Sequence, residues 1–242
     1  MISLYALLQL TNGFAALIVA SIFAIRVAGR MAGSEHLIFL PQAFSMVAIF
    51  NISVGTSLLF FPDNPFVVSG VYSTAVFFLF MIGPFSVRTF LFKNVRFFQV
   101  YRNYVSAAWV LGGLVTVMLL WSDFREVVIY PSSIVTWPLN SIAMWMTSAM
   151  VGLNGLVWGF LYQIRVLPYT DQFMDKLKVC SLIFIGYGGT ITMIMVIMSR
   201  TEEWARIGMF SLAGVFGFAA AVFIISRAID MSQKHLNIGN LR

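Results

Sequence analysis

Ser133, Asn140, Thr147 and Asn154 recur every seven residues, and Ser141, Ser148 and Gly155 each follow one position behind. Seven residues are nearly two helical turns, so in a helix these side chains share one narrow polar face. Amides and hydroxyls on such a face turn away from acyl chains, either to hold helices together or to line a cavity for a neutral guest. Trp137, Trp145 and Trp158 place large rings on the same stretch, which would suit a flat or hydrophobic ligand with one or two polar atoms. Gln9, Thr11, Asn12, Asn51, Ser53, Tyr72, Tyr187, Thr190 and Thr192 are the polar groups elsewhere that such a face would meet. Asn and Gln both donate and accept, so a network of them needs no charge. The ligand-binding or polar-packing candidates are therefore Asn140, Thr147, Asn154, Trp145, Trp158, Tyr187, Asn51 and Asn12.

Other chemistry lacks its usual handles. Cys180 is the only cysteine, so neither an internal disulfide nor a thiolate metal cluster is available. His36 and His235 do not form an HExxH pair and are not placed for axial haem ligation. The last apolar segment has no interior lysine for a Schiff base, and there is no row of acids and bases within the apolar segments to relay protons. Gly186 to Thr190 reads GYGGT, but it sits inside an apolar run without a P-loop lysine, so a kink or close backbone packing explains it better. Asp63, Asp123, Glu126, Glu202 and Glu203 fall near segment ends, where hydration accounts for them. No serine comes with a convincing base, and no catalytic residue, metal or cofactor is expected.

The elements that would carry the polar face follow from composition. The chain has 242 residues, 60% hydrophobic and only 10% charged, with a mean hydropathy of +0.90. A soluble chain has about a quarter of its residues charged, so most of this one belongs in lipid. Seven segments are long enough to cross a hydrocarbon core of about 30 Å. They lie at about 2–25, 37–61, 66–91, 104–121, 134–162, 177–198 and 205–226. The fold class expected is an all-α polytopic membrane protein, 1–242 forming one seven-helix domain. Its N-terminal run lacks a basic leader and a small-residue cleavage site, so it reads as a retained helix.

Charge orients the bundle. Twelve of the 15 basic residues fall at one set of helix ends: Arg26 and Arg30; Arg88, Lys93, Arg96 and Arg102; Arg165, Lys176 and Lys178; Arg227, Lys234 and Arg242. The other set holds Arg125, Arg200 and Arg206. The positive-inside rule then predicts the N-terminus outside and the C-terminus in the cytoplasm, in a plasma or bacterial inner membrane. Arg88, Lys93, Arg96 and Arg102 form a cytoplasmic basic loop that would attract anionic lipid at about 1 kcal/mol per base, or dock a protein partner. Nucleic acid is not expected, because the charge sits at segment ends rather than along a polar surface.

On the outer side, Pro62, Asp63, Asn64 and Pro65 are turn formers. The 122–133 loop reads as a short interfacial helix or a cover over the mouth of the bundle. Ala213, Gly217 and Ala221, spaced by four, predict close packing of the last helix within the chain or between chains. The arrangement resembles seven-helix receptors and bacterial seven-helix sensor modules in topology alone. It contains no acidic-Arg-Tyr triplet after helix three and no Asn-Pro-x-x-Tyr in helix seven. The expected function is a membrane sensor or receptor-like module for a small, largely apolar ligand, signalling through a separate partner. The alternatives are a non-catalytic accessory subunit of a membrane protein complex and a neutral-solute transporter.

Overall fold

The computed structural model describes residues 3–28, 39–91, 98–121, 128–129, 135–136, 141–199 and 201–239. Asn140, Lys93, Arg96, Ser133, Trp137, Pro138 and the 122–127 stretch lie outside the described residues. Seven helices cover most of the rest: α1 (Leu4–Ala28), α2 (Phe39–Phe60), α3 (Pro65–Leu91), α4 (Phe98–Trp121), α5 (Ser141–Arg165), α6 (Phe173–Met198) and α7 (Glu202–Gly239). The first five run for 22 to 27 residues, or about 33–40 Å at 1.5 Å per residue. In lipid no water is present to satisfy the backbone, and a helix satisfies nearly all of it internally. α7 continues for 38 residues, about 57 Å, which is longer than a bilayer core.

Each of the first four helices packs on the next, α7 lies against α1, and α6 lies between α7 and α5. The ring closes where α5 meets α3 and, more sparingly, α4. Inside it, Tyr5, Leu40, Phe44, Leu79, Phe80 and Leu212 are almost wholly buried. Phe14, Ile25, Trp109, Val110, Trp145 and Phe160 point outward, as lipid contact requires. Because lipid is as apolar as the core, helix association depends on close contact more than on hiding apolar surface.

Glycines supply that contact at two seams. A Cβ at Gly13 would lie 2.6 Å from Ile52 Cγ1 and 3.1 Å from its backbone N, and one at Gly55 would lie 3.0 Å from the Ala6 carbonyl. The α5–α6 seam is tighter still, because a Cβ at Gly186 would sit 2.7 Å and 2.8 Å from the N and Cα of Gly159. Here α6 departs from α geometry: Ile185–Gly189 forms one π turn between Phe173–Phe184 and Thr190–Met198. GYGGT is thus both a helix irregularity and a backbone contact.

Helix ends carry recognisable signals. Asn64 caps α3, its Oδ1 accepting the Val67 N–H at 3.2 Å, with Pro65 at the first helical position. Glu202 and Glu203 occupy the first turn of α7, where negative charge complements the helix dipole.

Several boundaries differ from the sequence reading. α5 begins at Ser141 rather than near 134, with Thr147 and Asn154 the members of the seven-residue repeat within it. Ahead of it, β1 (Val128–Ile129) pairs antiparallel with β2 (Val135–Thr136), Val128 opposite Thr136 and Ile129 opposite Val135. β-Branched residues on both sides of Tyr130-Pro131-Ser-Ser favour that ladder. β2 rests against α7. α4 begins at Phe98, taking in the second half of the basic loop, and α6 begins at Phe173.

Candidate functional site

α5 turns Thr147, Asn154 and Trp158 inward, leaving each under 5% exposed, but it leaves Trp145 60% exposed on the outer face. Thr147 is spent within its own helix, its hydroxyl donating to the Ala143 carbonyl at 2.8 Å. Asn154 reaches across the bundle, where its Oδ1 accepts the Tyr104 hydroxyl of α4. Gly83 of α3 makes this pair fit, since a Cβ there would overlap both the Asn154 amide and the Tyr104 oxygen. The Asn154 Nδ2 and the Trp158 Nε1 have no hydrogen-bond partner.

Asn154 and Trp158, one turn apart, line a cavity of about 70 Å³ whose walls come from α2, α3, α5, α6 and α7. Its walls are otherwise largely apolar, with Phe44, Leu79, Met193, Leu212 and Phe216 among them. Gly155, Gly186 and Gly189 form the side towards α6, where missing side chains leave room. Thr190 also lines it, pressed so closely on Gly155 that a Cβ there would collide with its hydroxyl. At 10–15 Å³ per water-sized centre, this volume holds roughly five to seven such centres.

A second space opens at the end of the bundle that carries Arg26 and the α5–α6 connection. This vestibule, about 520 Å³, has an apolar floor that includes Phe23, Leu40, Leu182 and Phe223. Arg26, Asp171, Asp175 and Lys178 stand around it. The Lys178 Nζ donates to Asp175 Oδ1 at 2.6 Å, with the lysine side chain 8% and the aspartate 46% exposed. The connection itself is a short 3₁₀ turn, Leu167–Tyr169, with Pro168 in its first turn.

One aromatic layer separates the two spaces. Phe44 stacks on Phe23 at 6.1 Å between ring centroids and meets Trp158 edge-on at 5.5 Å. Phe23 touches Phe223 at 5.0 Å, and Trp158 touches Tyr162 at 6.0 Å.

The remaining candidates do not join this site. Tyr187 lies over Gly159 and donates to Gln163 Oε1 at 2.9 Å on the helix surface. Asn51 donates to the Val47 carbonyl at 2.8 Å within α2. Asn12 is fully buried on α1 with neither amide atom partnered. Arg88 sits between rings, 4.5 Å from the centroid of Phe39 and 5.4 Å from that of Tyr101, and so ties α3 to α2 and α4. Arg102 is exposed.

Within the small-residue repeat of α7, Ala213 is half-buried against the core, whereas a Cβ on Gly217 would meet nothing within 4 Å and Ala221 is exposed. α7 also buries Ala205, Met209, Leu212, Phe216 and Ala219.

The sequence reading overlooked Asp171 and Asp175, hidden beside basic residues assigned to topology, and the wall residues Phe44 and Met193. It also overlooked Gly155-x-x-x-Gly159, the small-residue motif that meets α6.

Together these features define an integral membrane protein, a helical bundle in which the described residues form seven helices long and apolar enough to span a bilayer. Comparison with protein-family models, curated proteins and solved structures finds no match. The functional reading therefore rests on the residues themselves.

Proposed function

We propose that this protein is a membrane sensor or receptor-like module that takes a small, largely apolar ligand into the inner cavity. The observation that carries the reading is the cavity between the helices, apolar over most of its wall and bordered by Asn154 and Trp158. Buried donors without partners are costly, and a guest with an acceptor would relieve that cost. Neighbouring atoms cover both donors in this state, so pairing requires a small rotation of either side chain. The π turn supports a route for response, because it divides α6 beside the cavity, and Gly186, Gly189 and Thr190 all lie on the wall. A shift there would be read by a separate partner at the cytoplasmic ends, with the N-terminus outside and the C-terminus inside. The basic ends, Arg88 and Arg102 among them, would lie against anionic lipid of a plasma or bacterial inner membrane.

Passage of a neutral solute is a second reading, favoured by the vestibule beyond the aromatic layer. An accessory-subunit role rests on the small outward positions Gly217 and Ala221.

The test uses protein in lipid nanodiscs, titrated with small neutral ketones, ethers and cyclic hydrocarbons while thermal unfolding is followed. A ligand at a hundred times its Kd adds about 2.7 kcal/mol. Val151→Phe, which fills the cavity from α5, should remove the shift. No stabilisation by any of these compounds would reject ligand binding in the cavity. A tag after Arg242 that can be labelled from outside sealed cells would reject the orientation.

A further inference from the structure

We propose that the charged vestibule is the port through which the inner cavity fills, and that the aromatic layer between them is its gate. The inference rests on the ligand-binding reading and adds the route of entry. The division is one side-chain layer deep. α2 gives Leu40 to the vestibule and Phe44 to the cavity; α5 gives Tyr162 and Trp158; α6 gives Leu182 and Ile185. Each pair is three or four residues apart, so about one helical turn of roughly 5 Å separates the spaces.

The gate has a fixed side and a free side. Trp158 and Tyr162 flank Gly159, whose backbone is held against Gly186, so the α5 rings stand on a seam with no slack. Phe44 is the common member of the remaining contacts, touching Phe23 on one side and Trp158 on the other. Rotation of Phe44 breaks both at once. The passage offers rings but no charged group, while Arg26 and the Lys178–Asp175 pair remain on the vestibule side. A small neutral molecule passes such a layer, and an ion, which would have to shed its hydration, does not.

The test places a thiol in the cavity. Cys180, exposed and the only cysteine, is changed by Cys180→Ser, and Met193→Cys supplies a cavity thiol. Full-length protein in nanodiscs is then treated with methyl methanethiosulfonate, a small neutral thiol reagent. Phe44→Leu should speed modification roughly tenfold, the rate equivalent of the two lost ring contacts. Leu40→Trp, which fills the vestibule floor, should slow it by a similar factor. If neither substitution changes the rate, the cavity fills from another direction and the port is overturned, while ligand binding stands. If the Met193→Cys thiol is not modified in any variant, the cavity is closed to guests and the underlying reading falls with the port. Leu40→Trp leaves Phe44 in place, so the port remains testable even if Phe44→Leu does not fold.

Discussion

Gly186→Ala should damage this bundle more than its chemistry suggests, because the added methyl meets backbone. The new Cβ would lie 2.7 Å from Gly159 N, 2.8 Å from Gly159 Cα and 3.0 Å from the Gly155 carbonyl, against 3.4 Å where ordinary contact begins. No side chain can rotate out of the way. α5 must retreat by about 0.6 Å along the seam, loosening Gly155 from Thr190 and Gly159 from Tyr187 together. Overpacking costs about 1–3 kcal/mol, and a backbone obstacle belongs at the upper end. Alanine's helix propensity returns about 1 kcal/mol, leaving a net loss of about 2 kcal/mol.

Gly217→Ala is the matched control. It lies in a helix with nothing within 4 Å of its Cβ position, so only the propensity gain of up to about 1 kcal/mol remains. Unfolding of both variants by dodecyl sulfate in mixed micelles measures the difference, expected at about 2–3 kcal/mol. Equal stability would refute the claim that the α5–α6 seam is a backbone contact.

Asp175→Asn should lower stability by about 1 kcal/mol, well below the full cost of splitting a buried pair because Asp175 is half-exposed. Adding Lys178→Met should recover it, and a double-mutant cycle showing no coupling would remove the pair from the account. Asn12→Leu replaces a fully buried amide without partners, so thermal unfolding should show no loss or a small gain; a fall above about 1 kcal/mol would mean that the amide has a polar partner after all. Asn154→Ala removes the acceptor of the Tyr104 hydroxyl and should cost about 0.6 to 2 kcal/mol, with unchanged stability counting against that contact.

The number of helices was legible because length and apolarity set it, and each apolar run is long enough to cross a bilayer. The start of α5 was not. Its seven-residue repeat extends back through Asn140 to Ser133, whereas Pro138 and the Asn140-Ser141 pair signal a helix start. Asn154 and Trp158 were legible because a polar or amphipathic side chain in a lipid-soluble helix turns inward for a reason. Phe44, Phe23 and Phe223 were not, because the chain has 24 phenylalanines and lipid accepts a ring as readily as the core does. The same limit applies to the glycines: Gly217 and Gly186 both lie in apolar runs, and only the helix opposite decides which one is in contact within the chain.

Those contacts also determine where the molecule can move. Gly13 and Gly55 bring α1 onto α2 near the backbone, and Gly159 with Gly186 does the same for α5 and α6. A seam of that kind has little room to slide, so each pair behaves as a unit. Phe44 belongs to the first pair and Trp158 to the second, and their edge-on contact crosses the space between them. Relative motion of the two units therefore changes that contact before it disturbs either seam. The ring layer is where a guest in the cavity and a displacement at the helix ends would be coupled, and loosening one seam with Gly186→Ala should blunt the coupling even where the cavity still fills.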